Sequence, residues 1–547
     1  MNSCLFAGPN NKVMSFQKLI KELKTIKPVV DNPAGFIHNY MARKPYNVVN
    51  LIIKELTTSS DVVCDPMFGS GTTIIESSKL NRSVVGVDIN PLAYKLCNLS
   101  LSKWNLRAVN KLVDTFILRC RESITPYYSL VENGEVRIIE RCHFDRKGSQ
   151  LVPREYWYKI LKGDKLSGRK KAVATEALIN NYNQYSNVPI RIVDKPLMEN
   201  LRIAIQEGYT LKTYFCSRNW AALDAIFSIL DEYKGNECYD ILELLVSSAI
   251  NLIKLSDKKA NSQIPYWLPQ KNITSRNALF ILEDKAQKIK EGLKFLNKSL
   301  KVKIGSKNGK IAVLKNCPAQ DIDNIELPDN SVKLILTDPP YTDQVPYMEY
   351  NQLTIKLMNW DSSYESLLEK ELVVSDAQSR NKDADSFYRL WDEIVQRYSH
   401  ALCNQGYFVM FFHSFDLRAW DNVISSLERA GLKYLIQVPV SAPRKSFKTV
   451  MSPKSTLDGN YVVLFQKRDC YFKERDWTLD EACSEALSTA KRILVSKDKV
   501  TSQDLYDLGM LKDSIERGYL HILSTKYSTF LDVIKKEHKF ENGFWRV

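Results

Sequence analysis

Hydrophobic and polar positions change period along the chain, and each change predicts an element. Val48 to Leu56 repeats apolar residues at helical spacing, and Asp61-Val62-Val63-Cys64 reads as a short strand. Ile74 to Leu80 returns to helical spacing, and Ser83-Val84-Val85-Gly86-Val87-Asp88 is again a strand. The order is strand, glycine-containing loop, helix, strand, which is a βαβ unit. A second alternating stretch runs from about Ile311 to Lys467. It holds a strand over Val332–Thr337, a helix over Phe387–Leu402, a strand over Tyr407–Phe412, a helix over Trp420–Gly431 and a strand over Tyr461–Gln466. Roughly 200 residues separate the two stretches, far beyond the length of a loop, so they read as an inserted domain. Within it Leu245–Leu255 and Ala278–Leu300 have helical spacing, as does the tail from about Asp476. No internal repeat or low-complexity segment interrupts the pattern.

The expected division is therefore 1–105 and 306–470 as two halves of one α/β domain, 106–305 as the insertion, and 471–547 as a helical tail. A chain of 547 residues is too long for one core, in keeping with more than one domain. The formal net charge of +14 adds a preference for a polyanion, nucleic acid first. Residues His143–Lys171 concentrate Lys and Arg around Tyr156, Trp157 and Tyr158, a composition suited to tracking phosphates. The 11 cysteines are scattered and contain no Cys-x-x-Cys pair, so neither a ribbon-type zinc site nor a thioredoxin-like motif is expected, and the thiols read as reduced. No apolar run is long enough to span a bilayer and no signal peptide is apparent, so a cytoplasmic protein is expected.

Two phrases carry candidate chemistry. Asp65-Pro66-Met67-Phe68-Gly69-Ser70-Gly71-Thr72-Thr73 follows the first strand, and its small residues let the backbone turn and approach a ligand. Asp65 stands just before the loop and Asp88 ends the next strand, where an acid accepts ribose hydroxyls; Asn90-Pro91 then opens a helix. The loop lacks the Gly-Lys-Ser/Thr ending of a nucleotide triphosphatase. Far downstream, Asp338-Pro339-Pro340-Tyr341 ends the strand Val332–Thr337, because a Pro-Pro pair cannot continue it. A carboxylate and a backbone carbonyl there can accept both N–H bonds of an exocyclic amine as charge develops on its nitrogen. A carbon-5 cytosine enzyme would need a Pro-Cys nucleophile, and only the reversed Cys317-Pro318 occurs. No cluster of acids with Lys suggests a nuclease.

Together with His38-Asn39-Tyr40-Met41-Ala42-Arg43-Lys44-Pro45, these phrases resemble the amino-methyltransferases of DNA, including the large adenine-specific methylases. The resemblance is close over residues 38–95 and resumes at Asp338 to Tyr347. It implies a Rossmann-like methyltransferase sheet carrying the inserted domain, with S-adenosylmethionine as cofactor. It implies cofactor contacts from Lys44, Pro45, Asp65, Phe68, Gly69, Ser70, Gly71, Thr72, Asp88, Asn90 and Asp321, and catalysis by Asp338, Pro339, Pro340 and Tyr341. Tyr341 would stack on a base drawn out of the helix. The implied substrate is double-stranded DNA, the product N6-methyladenine, and the implied context a restriction or phage-defence system. N4-cytosine, RNA and a silent DNA-binding subunit are the alternatives. Some relatives carry a cysteine zinc ribbon in the insertion, whereas Cys120, Cys142, Cys216 and Cys238 are isolated here, so no zinc is expected.

Overall fold

The computed structural model describes residues 9–41, 43–148, 150–163, 165–257, 266–305, 309–340, 346–441, 459–468, 476–541 and 543–546. Helices α1 (Pro9–Thr25) and α2 (Tyr46–Leu56) precede β1 (Val62–Asp65), α3 (Thr72–Lys79), β2 (Ser83–Val87) and α4 (Pro91–Leu101). Next come α5 (Leu106–Tyr128), β3 (Ser129–Glu132), β4 (Glu135–Lys147), β5 (Gln150–Lys162), β6 (Lys165–Leu166) and β7 (Lys170–Val173). They are followed by α6 (Glu176–Asn183), α7 (Ser217–Asp231), α8 (Tyr239–Ile253), β8 (Ile273–Arg276) and α9 (Ala278–Ser299). The α/β alternation resumes with β9 (Ala312–Lys315), β10 (Val332–Thr337), α10 (Tyr347–Leu357), α11 (Tyr364–Lys370), α12 (Ala384–Ala401) and β11 (Leu402–Phe412). It closes with α13 (Leu417–Arg429), β12 (Leu432–Val440) and β13 (Asn460–Lys467).

Seven strands form one mixed sheet in the order β12-β13-β11-β10-β1-β2-β9. The pairs β10/β11, β1/β10, β1/β2 and β2/β9 are parallel, and β13 runs antiparallel to both β11 and β12. Its central strands read as continuous apolar runs because both faces are covered. Leu334 and Leu336 of β10 meet α1 and α2 residues such as Leu19, Val48 and Ile52 on one face. Ile335 meets α12 and α13 residues such as Trp391 and Trp420 on the other. The chain crosses from β2 to β9 by way of residues 88–311 and returns to the sheet centre at β10, beside β1.

Residues between those crossings form a second sheet in the order β3-β4-β5-β6, with β7 on β5 and β8 on β4. Its helices share one core with the first α/β unit: Val109, Ile241 and Leu293 lie in the same cluster as Phe68, Ile74 and Leu92. The basic segment His143–Lys171 lies in a long antiparallel hairpin of β4 and β5. Register shifts between Ile139 and Arg141 and between His143 and Phe144 break its alternation, so no simple period-two pattern announces it. Tyr156 and Tyr158 are buried, and Arg137 donates to the Tyr156 hydroxyl and stacks over Tyr158. These two rings are core, and only Trp157 of the three is partly accessible. The strand β12 has no counterpart in the pattern read from the sequence. The C-terminal residues add helices including Leu479–Ser496 and Phe530–Ile534 and a strand pair, Lys539–Glu541 with Phe544–Arg546. No helix among the described residues is long and apolar enough to cross a membrane.

Candidate active site

Parallel strands put their carboxyl ends on one edge, and β10, β1 and β2 are adjacent. Asp338, Asp65 and Asp88 therefore stand side by side although 273 residues separate Asp65 from Asp338. A cleft of about 890 Å³, open mouth included, lies against this edge.

Of the residues expected from the sequence, Lys44, Asp65, Phe68, Gly69, Ser70, Thr72, Asp88, Asn90, Asp338 and Pro340 line the cleft. Pro45, Gly71 and Pro339 do not line it. Pro45 sits at the start of α2, and Gly71 makes the left-handed turn, φ +78°, that opens α3. A Cβ on Gly71 would stand 2.8 Å from the Cys97 sulfur, so the position has no room for a side chain. Asp321 also stands outside, with its carboxylate 2.6 Å from Lys370 Nζ, and it is Lys370 that reaches the cleft. Tyr341 lies outside the described residues.

The loop is tied down by the two buried acids. Asp88 accepts the Gly69 N–H at 2.7 Å and the Asn90 N–H at 2.8 Å, one on each carboxylate oxygen. Asp65 accepts the Met67 N–H at 3.1 Å. Thr73 donates to the Leu336 carbonyl at 3.3 Å and so pins the start of α3 to β10. Burial pushes the Asp65 carboxyl up to about 7 and the Asp88 carboxyl up to about 6, against the opposing pull of their hydrogen bonds.

Lys44 Nζ lies 2.8 Å from Asp338 Oδ2, with the Phe411 ring centroid 5.2 Å from the ammonium. The Tyr40 and Tyr347 rings stack in the cleft wall, centroids 6.1 Å apart and planes 10° from parallel. Glu371, also in the wall, accepts the Met348 N–H at 3.1 Å. Arg380 bridges Glu371 at 2.8 Å and Glu349 at 2.7 Å, all three buried, and Asn200 donates to Glu349 at 2.5 Å. Burial raises the Glu371 carboxyl while Arg380 opposes the rise. Tyr40 and Tyr347 were within reach of sequence reading because they sit inside the two recognised phrases. Glu371, Lys370 and Gln320 belong to no recognisable pattern.

Buried carboxylates one strand apart, the hydroxyls of Ser70 and Thr72, and a wall of Ile89, Pro318, Ala319 and Leu372 suit one kind of ligand. Such a ligand has hydrogen-bond donors for the acids and an apolar face for the wall. No group of three or more His, Cys, Asp or Glu among the described residues is arranged to hold a metal.

The raised carboxyls make a stability prediction. The unfolded chain releases these protons near pH 4 and the folded one near pH 6–7, so the folded state binds more protons in between. The contribution of Asp65 therefore falls as pH rises from about 4 to 7 and stays low above. D65N should melt higher than the wild type at pH 8 and converge with it near pH 4. Melting curves across that interval check this; a constant offset would remove Asp65 as the source.

Residues 13–98 match the family model described as DNA methylase. A Type II methyltransferase, M.MjaII, of Methanocaldococcus jannaschii is 24% identical over 86 residues, 16% of each chain. The Type II methyltransferase M.HindIII of Haemophilus influenzae is 37% identical over 57 residues, 10% of this chain and 18% of its own. The matched segments thus span under a fifth of those relatives. A provisionally assigned DNA modification methylase from Thermus thermophilus, solved by crystallography, aligns over 30% of this chain and 58% of its own at 15% identity. Its TM-score of 0.14 carries no argument about the fold. The likeness to DNA methylases thus lies in residues 13–98, the segment with the glycine loop and both buried acids.

Proposed function

We propose that the protein transfers a methyl group from S-adenosylmethionine to the exocyclic N6 amine of adenine in double-stranded DNA. The observation that carries the reading is the meeting of Asp65, Asp88 and Asp338 around one cleft at the carboxyl ends of β1, β2 and β10. Bound there, the cofactor would supply an electrophilic methyl on a sulfonium. Asp65 would hold its amino end and Asp88 its ribose hydroxyls. Ile89, Pro318 and Leu372 would pack on its adenine, with Gln320 and Lys370 at that end. Asp338 and the Pro339 carbonyl would accept the two N–H bonds of the target amine, drawing its lone pair out of the ring. Lys44 would fix the Asp338 carboxylate in position. Direct transfer would break the S–methyl bond as the N–methyl bond forms, with the surplus amine proton leaving through Asp338, so proximity and orientation would supply much of the acceleration and no covalent enzyme intermediate would be required.

Adenine is favoured over cytosine because cytosine-N4 enzymes more often have Ser at the place of Asp338. Residues 1–105 and 306–470 would form the catalytic unit, 106–305 would recognise the target, and the Type II names of the relatives favour a restriction partner. Nucleoside mass spectrometry of unmethylated duplex DNA incubated with protein and S-adenosylmethionine tests the reading. N6-methyladenine is expected. N4-methylcytosine would overturn the base, and label on tRNA or rRNA alone would overturn the substrate.

A further inference from the structure

Residues 135–173 carry eleven Lys and Arg against five Asp and Glu, close to half of the chain's net +14. Strand register gathers part of this charge into one line. Arg276 of β8 is paired directly with Arg141 of β4, Arg141 with Trp157 of β5, and Trp157 with Lys171 of β7. Directly opposed residues in antiparallel strands share a face, so the four form a row across four strands. Three strand spacings make it about 14 Å long, the rise of about four nucleotides of one DNA strand.

Like charges directly opposite one another destabilise a sheet, and Arg141 and Arg276 are such a pair. The nearby acids are already engaged. Glu140 accepts from Arg169 at 2.8 Å and lies 4.0 Å from Arg141, and Glu155 pairs with Lys171 at 2.6 Å and His143 at 3.1 Å. Among the described residues no carboxylate lies within 4 Å of the Arg276 guanidinium, and the buried Nε atoms of Arg141 and Arg276 lack hydrogen-bond partners. Burial and the Arg141 charge lower the Arg276 pKa, with Asp257 opposing. Lys171 Nζ stands 4.9 Å from the centroid of the half-buried Trp157 ring. The row thus has cationic donors in excess, an aromatic face among them, and an internal repulsion that an anion would relieve.

We propose that this row is a phosphate-backbone contact for duplex DNA, with Arg276, Arg141 and Lys171 on phosphates and Trp157 packed between them. The inference rests on the proposed DNA substrate and names the surface that meets it. Such contacts position a duplex without reading its sequence.

The test is binding of a fluorescently labelled duplex by the full chain, without cofactor, over salt from about 50 to 200 mM. Each lost phosphate contact makes the slope of log affinity against log salt shallower by about 0.9, so R141Q/R276Q should lose about 1.8. Its S-adenosylmethionine affinity and melting temperature should stay near wild type. If that variant fails to fold, K171Q/W157F, on more accessible side chains, should lose about 0.9. A wild-type slope in the folded variants overturns the proposal, and so does tighter binding of duplex RNA than of DNA. A wild type that binds DNA through this row but methylates nothing would sink the proposed activity and leave the surface standing.

Discussion

Asp338→Ala is expected to lower methyl transfer by about a hundred- to a thousand-fold, the loss typical of removing one group aimed at developing charge. The carboxylate stands at the end of β10, held by Lys44 at 2.8 Å and backed by Phe411 beneath the ammonium. In the proposed mechanism its loss would leave the target amine's lone pair in the ring, and Lys44 would lose its Asp338 partner. Cofactor affinity should change little, because Asp65 and Asp88 are on neighbouring strands and their backbone bonds do not involve Asp338. Asp338→Asn keeps the shape and loses the charge, so it should retain more activity than Ala and less than wild type. Single-turnover rates and calorimetric cofactor titration separate the two effects. A variant that transfers normally but binds cofactor poorly would reassign Asp338 to the cofactor.

The second large effect is expected at Asp88. Its two oxygens hold Gly69 and Asn90, one on each side of the cleft's inner wall. Asp88→Ala removes both acceptors and the group proposed to hold the ribose. Hydrogen bonds to charged groups contribute about 1.5–3 kcal/mol each, so a net loss near 3 kcal/mol, or about a hundredfold in affinity, is a conservative expectation. Asp88→Asn keeps one acceptor oxygen and should fall between. Here the rate at saturating cofactor should recover substantially, the reverse of the Asp338 pattern. An Asp88→Ala protein with wild-type cofactor affinity would show that the ribose is held elsewhere.

The α/β core was legible because its central strands are buried on both faces and therefore read as plain apolar runs, Val332–Thr337 above all. The cleft was legible where its lining residues are neighbours in sequence: Asp65 to Thr72, Asp88 and Asp338 each lie in a short phrase. What escaped depends on distance in sequence. Glu371 reaches the cleft wall from a segment after α11, and its place depends on Arg380 and Glu349, whose pairing no spacing reveals. Asp321 ends a single 3-10 turn, Ala319–Asp321, and its charge is taken up by Lys370, a pairing set by how two segments pack. The tyrosines beside Trp157 looked like a nucleic-acid face, yet the strand bulges turn Tyr156 and Tyr158 inward, where Arg137 supports them.

The central place of β1 bears on how the protein is made. Its partner β2 follows within twenty residues, whereas β10, on its other side, is completed only at Thr337. At synthesis rates of about 5–20 residues per second, the edge of β1 that β10 will cover stays open for roughly 15 to 55 s. Throughout that interval Val63 and Cys64 present unpaired backbone groups on an apolar strand. The intervening helices α5 to α9 share a core with α3 and α4, so they can condense against the early unit while it waits. On this account the middle of the chain shields a nascent sheet edge, and shortening it would show first as aggregation during expression.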